Sequence, residues 1–211
     1  MSGLLDLLNS PMGKQLISGV AGQTGKPESQ TADALSMAMP LLLGAMKKNV
    51  ASSPQGAEGL MNALSTKHDG SILDNLGGLF AGGVDQSVMD DGAGILGHVF
   101  GSKQSTVENA LSQKSGLDAE AIANILKIAA PLVMGYLAKQ KAQSNVTDAK
   151  GLNDLLGSTL GGQPQQNQSL ITSLLDADGD GSILDDVAGM VMGSNQKKGG
   201  LGGMLGSLFG K

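Results

Sequence analysis

Two segments of this chain repeat one pattern, and that repetition limits the folds open to it. Ala38-Met39-Pro40-Leu41-Leu42-Leu43-Gly44 matches Ala129-Ala130-Pro131-Leu132-Val133-Met134-Gly135, and 131 less 40 sets the two 91 residues apart. The same offset lays Gly3-Leu4-Leu5 on Gly94-Ile95-Leu96, Gly25 on Gly116, Ala32 on Ala123 and Lys48 on Lys139 without a gap. Self-similarity at a fixed offset is the signature of a repeated structural unit. The chain therefore reads as a tandem duplication.

A second shared phrase, DGSILD, stands at 69–74 and again at 180–185, which is 111 residues apart. The difference between the two offsets means that the second copy has gained about 20 residues. The Gly/Gln-rich stretch 157–176 is where that insertion falls. Copy one then covers residues 1–91, copy two 92–193, and a Gly-rich tail 194–211.

Each copy centres on one long apolar helix. In copy two Asp118 serves as N-cap, and Ile122, Ile125, Leu126, Ala129, Leu132, Val133, Tyr136 and Leu137 recur at helical spacing. Pro131 inside that run removes one backbone hydrogen bond and kinks the helix, while Gly135 admits a close neighbour. Pro40 and Gly44 hold the same places in copy one. Shorter helices are predicted over 2–9, 11–22, 57–65, 72–80, 104–113, 151–160, 168–175 and 183–191, with glycines between them. No stretch alternates with period two, so the predicted class is all-α: a duplicated small multi-helix unit with short Gly-rich connections.

Composition bears on both core and partners. The chain has 33 glycines, 11 methionines and only 2% aromatic residues, so its core must be Leu, Ile, Val, Met and Ala on closely packed helices. It has no cysteine, which excludes disulfides and thiolate-ligated zinc. All 14 basic residues are lysine and the net charge is -5. With almost no aromatic surface for base stacking, nucleic acid is excluded as a partner class. The N-terminal MSGLLDLLNS has no basic segment ahead of its apolar run, so it does not read as a secretory signal. The apolar stretches 34–46 and 128–138 fall short of the roughly 20 residues that span a bilayer. A cytoplasmic location is the expectation.

One segment points at chemistry, DADGDGSILDD at 176–186. Set on a calcium loop of the EF-hand kind, Asp176, Asp178 and Asp180 take positions 1, 3 and 5, Gly181 the glycine at 6, and Ser182 the backbone carbonyl at 7. Three carboxylates so close repel one another unless a cation lies among them. Position 12 is Val187 where the loop needs a bidentate Glu, so Asp185 or Asp186 must supply the last ligand, as in shortened loops. Copy one cannot hold the same ion, because Ser65, Lys67 and Asp69 stand at those positions. What both copies keep is a turn with a capping box, Ser71 with Asp74 and Ser182 with Asp185. The expectation is a structural Ca2+ in copy two alone.

Three stretches carry a resemblance: DDGAGILGHVFG at 90–101, the apolar helix with Pro131 and Gly135, and GSILDDVAGMVMG at 181–193. They are similar to the YidB-like bacterial family, once per copy and best in copy two. That resemblance implies a bacterial, all-helical protein. The family brings no established activity, so it transfers no catalytic residue.

Direct tests for an enzyme find little. His68 lies beside Asp69 and His98 sits in GILGHVFG, with no recognisable nucleophile or metal partner close in sequence. No GxxxxGK[ST] phosphate loop is present, and Asp90-Asp91 and Asp185-Asp186 read as surface or capping pairs. The expected function is a non-enzymatic scaffold that binds a protein partner or itself. One alternative is a small-molecule binder or enzyme with a pocket between the copies, using His98. Another is membrane-surface binding by the tail, whose Leu201, Met204, Leu205, Leu208 and Phe209 form an apolar stripe.

Overall fold

The computed structural model describes residues 4–161 and 171–175. Among these residues there are nine named α-helices and no strand: α1 (Leu4–Asn9), α2 (Pro11–Thr24), α3 (Glu28–Ser52), α4 (Pro54–Thr66), α5 (Leu76–Phe80), α6 (Gln86–Phe100), α7 (Gln104–Ser115), α8 (Ala119–Gln143) and α9 (Ala149–Leu160). Residues 171–175 are also helical, and Ser71–Leu73 and Gly101–Lys103 are single 3-10 turns. The all-α class is as the sequence predicts.

The two long helices, α3 and α8, pack on one another at the centre. Each has 25 residues and each carries its proline at the thirteenth position. Their middles are buried on every side, from Ala38 to Met46 and from Ile128 to Ala138, so these helices are core rather than surface elements. By length and composition α8 is the described helix apolar enough to cross a membrane, yet 83% of its apolar window is covered by the rest of the protein. One apolar cluster runs from Leu8 to Leu175, so the described residues of both halves share a single core.

Local chemistry explains the helix ends. Ser10, Ser53, Asp118 and Asp148 each accept a hydrogen bond from the backbone N–H three residues on, which satisfies an orphan donor of the first turn. Pro11 and Pro54 follow as first helical residues, where the missing N–H has no consequence. α2 and α7 both end on a left-handed glycine, Gly25 and Gly116, again 91 residues apart. The caps Ser53 and Asp148, which open α4 and α9, stand 95 residues apart.

Two sequence expectations need correction. α6 is not among the predicted helices, although the 91-residue offset lays Gly94-Ile95-Leu96 on the predicted helix 2–9. Gly92 is a packing residue: a Cβ there would lie 1.9 Å from the Lys127 carbonyl oxygen, the acceptor that Pro131 leaves without its helical N–H. α6 thus lies against α8 where the proline has freed a carbonyl. The second correction concerns Ser71 and Asp74, which form no capping box. Asp69 accepts from the Ser71 N–H at 2.9 Å, and Asp74 pairs with Lys139 of α8. The short 3-10 turn is held to the long helix through its acid, which leaves that acid unavailable as a cap.

Candidate functional site

α4 packs on α3, α8 and α9, and α6 packs on α8 and α3, which leaves a groove of about 750 Å³ between α4 and α6. Its floor is the side chains of Met46 and Met134, one from each central helix, both buried. Leu60 on one wall and Ile95 and Val99 on the other extend the apolar surface upward. Small residues keep the walls apart: Gly59 of α4 and Gly94 of α6 are exposed, and a Cβ on either would meet nothing within 4 Å.

Helical period explains why α6 presents this face. Asp91, Gly94, Ile95 and His98 fall three or four residues apart, hence on one side. Asn49 of α3 fixes the far end, donating from Nδ2 to the carbonyls of His98 at 3.0 Å and Val99 at 3.2 Å. Those carbonyls belong to the last turn of α6, which has no helical donors of its own to offer them.

Both histidines of the chain line this groove, a juxtaposition that sequence reading left open. His98 is exposed at the end fixed by Asn49. His68 follows α4, with its Nε2 3.7 Å from Asp91 of α6 and its side chain only 9% exposed. Burial pushes the His68 pKa below its ordinary value, with Lys67 acting the same way and Asp91 and Asp69 opposing. The imidazole is therefore neutral at pH 7. Asp90, also on the rim, accepts from Gln86 at 2.7 Å. The His68–Asp91 contact is not legible in the sequence because a loop residue after α4 meets a residue of α6 that lies 23 positions further on.

A histidine beside a carboxylate invites a test for nucleophilic catalysis. The lining hydroxyls are engaged elsewhere: Ser52 donates to the Lys48 carbonyl at 2.6 Å, Ser53 caps α4 by accepting from Gly56, and Thr66 donates to the Asn62 carbonyl at 2.8 Å. None is paired with His68. Among the described residues no group of three or more His, Asp or Glu side chains could hold a metal ion.

The predicted calcium ligands Asp176, Asp178, Asp180, Ser182, Asp185 and Asp186 lie outside the described residues, as does the tail. The residues just before them are placed: Ile171 and Leu175 cover Gly44 of α3, and the Leu175 carbonyl accepts from Lys48. A second, more open hollow of about 520 Å³ lies between α2 and α5, with Gly22 and Phe80 among its lining residues.

The model of a family of bacterial proteins of unknown function, DUF937, matches residues 6–140 and 144–211. The chain belongs to that family. No curated protein and no solved structure matches it.

Proposed function

We propose that this member of a bacterial family without an assigned activity is a non-enzymatic helical scaffold, and that it binds an apolar helical segment in the groove between α4 and α6. The observation that carries this reading is the open space above Gly59 and Gly94, over a floor made by Met46 and Met134. Unbranched, polarizable methionines adapt to varied apolar partners, and small wall residues allow a helix to approach closely. Ser52, Ser53 and Thr66, the hydroxyl residues that line the groove, are each hydrogen-bonded within their own helix or at its cap, which favours this reading over an enzyme of the same groove.

Filling the groove tests it. Gly59→Trp with Gly94→Leu should leave the helical circular dichroism unchanged and abolish capture of partners from the native cells. Gly22→Leu, which fills the hollow beside α2, should leave capture intact. Equal capture by all three proteins would sink the reading.

The duplication and the YidB-like character belong to the same proposal, supported by two 25-residue helices with matching prolines. A structural Ca2+ at Asp176, Asp178 and Asp180, completed by Ser182 and by Asp185 or Asp186, rests on the spacing of those acids. It would pin the chain directly after the anchor between Leu175 and Lys48. Calorimetric titration with Ca2+, with Mg2+ as control, should show saturable heat that Asp176→Ala/Asp178→Ala removes. No heat in the unaltered protein would reject the ion.

A further inference from the structure

The groove between α4 and α6 has an occupant within this same chain. We infer that the C-terminal stripe Leu201, Met204, Leu205, Leu208 and Phe209 docks in it and covers the Met46–Met134 floor until a partner displaces it. This rests on the reading of the groove as a binding surface and adds what fills it in the free protein.

Spacing is the first argument. The stripe recurs at three- and four-residue steps, the pattern of a helix with one apolar side. At 1.5 Å per residue, Leu201 to Phe209 measures about 12 Å as a helix, and the α4 wall from Gly56 to Thr66 measures about 15 Å. The segment matches the groove in length.

Close approach is the second argument. The stripe is interleaved with Gly202, Gly203 and Gly206. The walls that face the groove offer Gly59 and Gly94 with open space above them. Small residues on both surfaces let two backbones come near while the larger side chains reach the floor.

Charge gives the direction of preference. Residues 194–211 contain Lys197, Lys198 and Lys211 and no acid. The groove offers Asp90 and Asp91 against a single lysine, Lys67. Complementary signs at the rim favour this segment over an acidic one.

The tether permits it. Twenty-five residues, 176–200, separate Leu175 from the stripe, and a chain of that length reaches up to about 90 Å, against about 37 Å for the whole of α3. Such a link gives an effective concentration on the order of millimolar at any reachable face, so even a weak fit is occupied.

The chain has no cysteine, so a pair of engineered thiols reports on this contact without background. In the full-length protein at high dilution, Gly94→Cys/Leu205→Cys is treated with a short bismaleimide and compared with Gly22→Cys/Leu205→Cys. The 25-residue link is long enough to reach either position, and docking should make the Gly94 pair link within one chain about tenfold faster. Gly59→Trp added to the Gly94 pair should remove that advantage. Gly59→Cys/Leu205→Cys repeats the measurement from the other wall, and neither glycine replacement meets an obstacle. Equal rates at Gly94 and Gly22 would overturn the inference, and so would products linked only between two chains. If the linking fails while capture of partners still depends on an open groove, the inference falls and the scaffold reading stands.

Discussion

Ile72 lies over Gly135: a Cβ on that glycine would come within 2.8 Å of the Ile72 Cγ2. Gly44, 91 residues earlier, stands in the same relation to Ile171, also at 2.8 Å. Each central helix thus has a glycine after its proline, and an isoleucine from the opposite half of the chain covers it. Gly135→Val and Gly44→Val should each lower stability by about 1–3 kcal/mol in urea unfolding, since the added methyls must displace a packed side chain. Ile72→Ala should recover part of the loss in the Gly135 variant and none in the Gly44 variant.

Two glycines of α6, two residues apart, should respond in opposite directions. Gly92→Ala places a methyl against the Lys127 carbonyl, where backbone cannot yield, and should cost about 3 kcal/mol. Gly94→Ala meets open space and should gain about 0.5–1 kcal/mol, because alanine loses less freedom in a helix. Unfolding midpoints of the two variants, measured side by side, check the contrast.

Gly70 precedes the 3-10 turn at φ +93, a conformation that costs side-chain-bearing residues about 1–2 kcal/mol. A Cβ there would also press on the Lys139 Cγ at 2.6 Å and the Gly135 carbonyl at 3.0 Å. Gly70→Ala should therefore destabilise by more than the strain alone. Asp74→Ala, which removes only an exposed ion pair, should fall within about 1 kcal/mol of the unaltered protein.

His68 makes stability depend on pH. The unfolded imidazole takes its proton near 6.5, and the folded one takes it lower, chiefly through burial. Below 6.5 the unfolded chain binds more protons, so this contribution is complete above that value and is lost as pH falls through the folded value. Urea midpoints should drop between pH 7.5 and 5, and His68→Gln should flatten that slope. Asp91→Asn removes the nearest opposing charge and should lower the His68 titration further, as read by NMR.

Much of this architecture is legible in order along the chain. The prolines and glycines of the long helices, the cap at Asp118 and the absence of strands among the described residues all follow from local pattern, because each depends on neighbours in sequence. The groove does not. The role of Gly92 shows only once the Lys127 carbonyl is placed beside it, and the His68–Asp91 contact depends on where α6 then lies. Ser71 and Asp74 carry the letters of a cap, but Lys139, 65 residues on, takes the acid. In each case a long-range contact outweighs the local signal.

The cover over Gly44 also sets a timetable. The ribosome makes this glycine 127 residues before it makes Ile171. At translation speeds of about 5–20 residues per second, that is a wait of roughly 6 to 25 seconds with the α3 face bare. A nascent chain so exposed gives chaperones a window at this site that closes when Leu175 emerges.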